Sequence, residues 1–121
     1  MDTARVLLVD DEEEFVSALA ERLELRRFVV QLAFNGEQAL GKLQDQEPDF
    51  VVLDLKMPGM DGMEVLRRVR KHHPRVAVVM LTGHGSEKDR DEALRLGACA
   101  YLQKPVQIDE LVRLIKDKSG R

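Results

Sequence analysis

Residues 50–55 read Phe50-Val51-Val52-Leu53-Asp54-Leu55, an apolar run interrupted by a single acidic residue. A run without polar alternation is typical of a strand buried on both faces of a parallel sheet. Similar short runs occupy Val6–Val9, Val76–Leu81 and Ala100–Leu102, and a weaker run at Val29–Ala33 is interrupted by Gln31. Together the five runs predict five strands of one parallel sheet.

The segments between these strands have the spacing of amphipathic helices. Their apolar stripes are Phe15, Leu19 and Leu23 in the first helix, Met63, Leu66 and Val69 in the third, and Ile108, Leu111 and Ile115 in the last. A shorter second helix is predicted over Gly36–Leu43 after a cap at Asn35. Since parallel strands need crossover connections, this alternation predicts a three-layer α/β sandwich. We expect a single domain over residues 1–121, with the polar residues 117–121 as a tail or the start of a linker.

A fourth helix is predicted over Ser86–Leu96, with Ser86 as its N-cap. This helix offers few large apolar side chains for packing. Two interpretations stay open. A weakly anchored helix is a candidate for the part of a domain that moves, and it is equally compatible with a simple solvated surface helix.

Composition excludes several classes of protein. The chain has 121 residues, 19 Lys and Arg against 22 Asp and Glu, and a formal net charge of −3. The longest apolar run is far shorter than the roughly 18 residues that a membrane-spanning helix needs. Cys99, as the single cysteine, excludes an intramolecular disulfide and a multi-cysteine zinc site. With no tryptophan, no basic surplus and no secretory signal pattern, we expect a cytoplasmic protein that binds neither nucleic acid nor membrane.

Chemically reactive side chains collect where the predicted strands end. The first strand is followed by Asp10 and Asp11, the third carries Asp54 near its end, the fourth leads to Thr82 and the fifth to Lys104. Ligands of open α/β sheets bind at this edge. Clustered carboxylates suit a hard cation such as Mg²⁺, beside which one carboxylate can attack phosphorus while an ammonium and a hydroxyl bind the phosphoryl oxygens. Each acid taken singly is also compatible with a helix cap.

Four motifs occur in order and at characteristic intervals. They are Val6-Leu7-Leu8-Val9-Asp10-Asp11, Leu53-Asp54-Leu55-Lys56-Met57-Pro58-Gly59-Met60-Asp61-Gly62, Leu81-Thr82-Gly83 and Lys104-Pro105. Together they resemble the receiver domain of bacterial two-component response regulators, from about residue 5 to residue 118. The resemblance implies a flavodoxin-like sheet of strand order 2-1-3-4-5.

The same resemblance implies a phosphorylated switch. Asp54 would accept a phosphoryl group from a histidine kinase or a histidine phosphotransfer protein. Asp11 and Asp54 would bind Mg²⁺ directly, together with the backbone carbonyl of Lys56, and Asp10 would act through water. Lys104 would bridge to the phosphoryl group. Such a protein promotes its own phosphorylation and dephosphorylation but is not an enzyme for an external substrate.

The resemblance also implies how the signal leaves the site. Thr82 would move toward the phosphoryl group, and Tyr101 would turn inward as it does. Lys56 and His84 would set the lifetime of the phosphoryl group, and the peptide bond before Pro105 would be cis. The surface of the fourth helix, fifth strand and fifth helix would then control an attached output domain or a downstream protein, in a monomer or a phosphorylation-dependent homodimer.

Three other functions would need different sequence features. A phosphatase of the haloacid-dehalogenase type would need a second acid two residues after its nucleophile, where this chain has Lys56. A flavodoxin-like cofactor binder would need a phosphate-binding loop where this chain has the acidic residues 10–14. A phosphate-independent interaction module is the third alternative, and the presence of all the site residues argues against it.

A few residues are assigned structural roles. We interpret His72 and His73, at the end of the third predicted helix, as structural. Cys99 is predicted to be a small buried residue. The stretch Leu25–Phe28 lacks the glycine that many receivers carry between the first helix and the second strand.

Overall fold

The computed structural model describes residues 4–118, in which strands and helices alternate along the chain. The strands are β1 (Arg5–Val9), β2 (Val29–Ala33), β3 (Phe50–Leu53), β4 (Ala77–Thr82) and β5 (Ala100–Gln103). The helices are α1 (Glu13–Leu25), α2 (Gly36–Asp45), α3 (Gly62–His72), α4 (Glu87–Arg95) and α5 (Ile108–Lys118). All strand pairs are parallel and the order is β2-β1-β3-β4-β5, which confirms the predicted sheet.

Element ends differ from the prediction by one or two residues. β3 ends at Leu53 instead of Leu55, because the chain leaves the sheet there and the Leu55 carbonyl accepts a hydrogen bond of 2.8 Å from the Gly62 amide at the start of α3. β4 begins at Ala77 and includes Thr82. At the other end of the chain, α5 runs to Lys118, so residues 117 and 118 are helical, and the remainder of the predicted tail lies outside the described residues.

The sheet separates two apolar clusters, which form because successive strand residues face opposite sides. One cluster joins Leu7, Val9, Val51 and Leu53 to buried residues of α2, α3 and α4. The other joins Val6, Leu8, Phe50 and Val52 to buried residues of α1 and α5. This burial on both faces explains why β1 and β3 have no polar alternation, and it gives the three predicted layers.

Side-chain caps start three of the helices. The Asn35 side chain accepts a hydrogen bond from the Gln38 amide at 2.8 Å, and that of Asp61 accepts one from the Glu64 amide at 3.0 Å. Ser86 and Asp89 form a reciprocal capping box at the start of α4. The caps predicted at Asn35 and Ser86 are therefore confirmed.

Helix α4 is held to the rest of the domain by little apolar surface. Ala93 is its one buried residue within the described chain, and Leu94 is 38% exposed. By contrast, α3 buries Met63, Leu66 and Val69, as its apolar stripe predicts. The predicted weak anchoring of α4 is thus present in the fold.

Two local predictions are refined. Cys99 is half-buried rather than buried, although burial still raises the pKa of its thiol. At the boundary without a glycine, Arg27 adopts the left-handed conformation with φ of 73°. This is a conformation that glycine adopts without steric strain and that other residues rarely adopt. No helix among residues 4–118 is both long and apolar enough to cross a membrane.

Candidate functional site

Two buried carboxylates lie side by side at the carboxyl edge of the sheet. Asp10 and Asp54 directly follow β1 and β3, and their amides extend the sheet by donating to the carbonyls of Ala33 and Val9 at 3.0 and 2.9 Å. Asp10 is 4% exposed and Asp54 is 6% exposed. The backbone ladder therefore fixes both acids at the predicted position.

Lys104 supplies the positive charge between them. Its Nζ lies 2.8 Å from Oδ2 of Asp10 and 3.8 Å from Oδ2 of Asp54, and it also pairs with the carboxylate of Glu12. The ammonium lies over the ring of Phe15, 4.4 Å from the ring centroid. Burial alone would lower the pKa of Lys104, but its hydrogen bonds to Asp10 and Glu12, together with the negative charges of Asp10 and Asp54, raise this pKa above the ordinary value.

The carboxyl groups have different electrostatic environments. Burial is the main reason that the pKa of Asp54 is raised, and the negative charge of Asp10 adds to it, while Lys104 and the Thr82 hydroxyl act in the opposite direction. The hydrogen bond from Lys104, followed by its charge, lowers the pKa of Glu12. A cation beside Asp54 would therefore stabilise the charged form of this carboxyl group.

Three acidic side chains are placed to hold such a cation. Asp10, Glu12 and Asp54 each offer one oxygen, and these three oxygens lie within 4.8 Å of one another. Carboxylate oxygens are the donors that a hard divalent cation prefers, so the donor set fits Mg²⁺. The structure also places Asp11, predicted as a direct ligand, on the exposed surface and outside this group within residues 4–118.

Glu12 is a site residue that the sequence did not predict as a ligand. Its amide donates to Oδ1 of Asp10 at 2.9 Å, which holds the loop after β1 against the site. Its side chain reaches Lys104, which lies 92 positions away in the sequence. In the sequence, Glu12 is a third acid directly after Asp10 and Asp11. An acid at this position is equally consistent with a solvated residue at the start of α1.

Thr82 ends β4, and the side chain of Tyr101, which lies earlier in β5, reaches the loop that follows Thr82. Thr82 is fully buried, and its hydroxyl accepts a hydrogen bond from the His84 amide at 3.2 Å. Tyr101 packs against the α2–α3 side of the core. Its phenolic oxygen is buried without a hydrogen-bond partner among the described residues, and burial is the main reason that the pKa of this phenol is raised.

The remaining predicted residues lie on loops near the site or away from it. Lys56 and His84 are exposed, on the loops that follow β3 and β4. The Lys104–Pro105 peptide bond is cis, as expected. His72 and His73 lie at the opposite end of α3 from the site, where Nδ1 of His73 is 2.7 Å from the Glu47 carboxylate.

Comparison with known proteins extends these observations. The family model described as "Response regulator receiver domain" matches residues 6–116. The transcriptional regulatory protein CpxR of Escherichia coli is 46% identical over 112 residues, which are 93% of this chain and 47% of CpxR. The chain thus spans about half the length of this relative.

Two solved structures have the same fold. A CheY-like receiver domain protein from Methanospirillum hungatei superposes with a TM-score of 0.93 at 30% identity, covering 98% of this chain and 95% of its own. A response regulator from Burkholderia pseudomallei, described with a phosphorylated aspartic acid and a calcium ion, has a TM-score of 0.89 at 27% identity, covering 98% and 69%. With its sheet order, its acidic edge and the family match over nearly its whole length, the chain belongs to the response regulator receiver domains of two-component systems.

Proposed function

We propose that this receiver accepts a phosphoryl group on Asp54 from the phosphohistidine of a kinase or of a histidine phosphotransfer protein. The observation that carries the proposal is the buried Asp54 carboxylate, which lies beside Asp10 and within 3.8 Å of the Lys104 ammonium. In the transfer, an oxygen of Asp54 forms the new bond to phosphorus as the N–P bond of the donor breaks. The related Burkholderia protein, described with a phosphorylated aspartic acid, supports this chemistry.

A bound Mg²⁺ would neutralise the clustered carboxylates and the incoming phosphoryl oxygens. The proposed ligands are Asp11, Asp54 and the backbone carbonyl of Lys56, with Asp10 acting through water. Glu12 is added here because its carboxylate lies within reach of the same group of oxygens. Lys104 would bind a phosphoryl oxygen by a charge-assisted hydrogen bond. Water later hydrolyses the acyl phosphate, at a rate that we expect Lys56 and His84 to tune from the rim.

Phosphorylation would then alter the face formed by α4, β5 and α5. The modification adds roughly 1.5 to 2 negative charges beside Lys104 and Thr82. Thr82 would bind the phosphoryl group, and Tyr101 would occupy the inward position behind it. The small buried surface of α4 supports a shift of this helix, which we describe as a change in the populations of two states.

The proposed partners follow from this role. They are a sensor histidine kinase or a phosphotransfer protein on the input side, and an output domain or a downstream protein on the other. CpxR is described as a transcriptional regulatory protein and is about twice as long as this chain, which supports an attached output domain. We propose that the receiver itself works in the cytoplasm without binding nucleic acid or membrane, as a monomer or a phosphorylation-dependent homodimer.

Intact-mass measurement after incubation with acetyl phosphate tests the proposal. We expect one phosphoryl adduct that requires Mg²⁺, is absent from Asp54→Ala, and persists in Asp91→Asn, a control at an exposed acid on α4. Beryllofluoride, which mimics the phosphoryl group, should bind the wild type and not Asp54→Ala, even if hydrolysis is too fast for the adduct to accumulate. A wild-type protein that neither forms the adduct nor binds beryllofluoride would contradict the proposal and leave a phosphate-independent interaction domain.

A further inference from the structure

The inward position of Tyr101 depends on the absence of a side chain at residue 85. A β-carbon at Gly85 would overlap the phenolic oxygen of Tyr101 and lie 2.7 Å from its Cζ atom. It would also lie 3.0 Å from the Cγ2 methyl of Thr82. The hydroxyl end of the Tyr101 ring therefore fills the space that a side chain at residue 85 would occupy.

Space, not backbone strain, distinguishes this glycine. Gly59 and Gly97 are the glycines with positive φ among the described residues, so Gly85 does not adopt the left-handed conformation that favours glycine. Gly83 lies in the same loop, but a β-carbon there would meet only the Lys104 side chain, at 3.8 Å or more, which is ordinary contact. Of the two loop glycines, Gly85 alone excludes a methyl group on steric grounds.

No hydrogen bond within the described part of the chain holds the Tyr101 hydroxyl in this position. A buried hydroxyl without a partner loses hydration and gains nothing in exchange. The inward position must therefore rest on the fit of the ring between Thr82 and the bare backbone of Gly85. A ring held only by fit is sensitive to one added methyl group.

We propose that Gly85 is a positioning residue of this receiver. Its bare backbone leaves room for the inward position of Tyr101, and Tyr101 in that position couples a movement of Thr82 to the surface formed by β5 and α4. This inference rests on the proposed switch. It adds that Gly85 controls whether phosphorylation of Asp54 affects the position of Tyr101. A side chain at residue 85 leaves the phosphoryl chemistry at Asp54 in place and disconnects it from Tyr101.

The chain offers a direct readout, because Tyr101 is its one tyrosine and it has no tryptophan. Tyrosine fluorescence and phenol absorbance therefore report this residue alone. In Gly85→Ala we expect stronger acrylamide quenching of the fluorescence and a phenol titration shifted to lower pH, because burial is the largest contribution that raises the Tyr101 pKa. The matched variant Gly83→Ala should behave like the wild type in both measurements.

Beryllofluoride and acetyl phosphate complete the test. Gly85→Ala should still form the Asp54 adduct, but its Tyr101 should stay accessible to the quencher even when beryllofluoride is bound, whereas Tyr101 should be shielded in the beryllofluoride-bound wild type and in Gly83→Ala. Wild-type quenching and titration in Gly85→Ala would overturn the inference. Failure of the wild type to form an adduct or bind beryllofluoride contradicts the switch instead, so the two failures are distinguishable.

A second variant guards against misfolding. If Gly85→Ala fails to fold, removal of the ring in Gly85→Ala/Tyr101→Ala should restore a cooperative unfolding transition like that of Tyr101→Ala. Restoration supports steric conflict with Tyr101. A double variant that stays unfolded would show that Gly85 serves the loop itself and would overturn the inference.

Discussion

Gly62, the first residue of α3, gives the sharpest test of how the fold positions the site. A β-carbon here would overlap the backbone carbonyl oxygen of Asp54 and lie 2.8 Å from Cα of Leu55. These are backbone atoms at the end of a central strand, so they cannot rotate away as a side chain can. We expect Gly62→Ala to lower the free energy of unfolding by about 1 to 3 kcal/mol, the usual effect of overpacking. Gly41→Ala is the matched control, because Gly41 lies exposed within α2 with nothing within 4 Å of its β position.

Urea unfolding separates the two variants. Gly41→Ala should raise the free energy of unfolding by roughly 0.5 to 1 kcal/mol, because alanine favours helix more than glycine does. In a domain of this size, each kcal/mol corresponds to a change in Tm of about 4 °C. Displacement of the Asp54 backbone should also slow acetyl phosphate modification in Gly62→Ala alone. Equal stability of the two variants, with equal modification rates, would refute the steric argument.

Three further outcomes follow from the geometry. Arg27→Gly should raise the free energy of unfolding by about 0.5 to 1 kcal/mol, because it relieves the positive φ, while Arg27→Ala should give no such gain; equal melting temperatures for the two would contradict this. Asp54→Asn should be more stable than the wild type without Mg²⁺, because the raised pKa means that folding disfavours the charged form. The gain in stability should be full at pH values above the raised pKa of Asp54 and should fade as the pH falls toward the ordinary pKa of 3.8. A gain in melting temperature that does not depend on pH would contradict this prediction. Lys104→Met should lose about 3 kcal/mol by leaving buried carboxylates unpaired, and Mg²⁺ should restore more stability to it than to the wild type in a thermal-shift titration.

The order of strands and helices is predictable from the sequence where a strand is buried on both faces. β1, β3 and β4 are buried on both faces, so their composition alone identifies them, and the acids that follow β1 and β3 meet at one edge because parallel strands share that edge. Element ends are less predictable. Leu55 is apolar and buried, yet it lies outside β3, and its carbonyl accepts a hydrogen bond from the Gly62 amide of α3.

Side-chain partners across the fold could not be predicted from the sequence. The pairing of Glu12 with Lys104 joins residues from opposite ends of the chain, and no local pattern distinguishes it from a solvated charge. The same holds for Gly62 and Gly85, which resemble ordinary loop glycines in the sequence. Their importance comes from backbone and ring atoms that only the folded chain places beside them.

The distribution of burial favours α4 over α3 as the helix that moves in the proposed switch. α3 is fixed to the core by a full apolar stripe, whereas α4 contributes Ala93 and otherwise lies over β5, whose residues are all partly exposed or exposed. The Arg67–Glu92 ion pair between the two helices, at 3.2 Å, is exposed, and such pairs contribute about 0 to 1 kcal/mol.

The capping box of α4 adds a second element to this explanation. The side chains of Ser86 and Asp89 each accept a hydrogen bond from the backbone amide of the other, so both partners belong to the start of α4. The cap therefore stabilises α4 as a helix without attaching it to the core. A helix of this kind is able to shift as a unit at a small cost in packing, which is the mechanical property that a switch operated by Thr82 and Tyr101 requires.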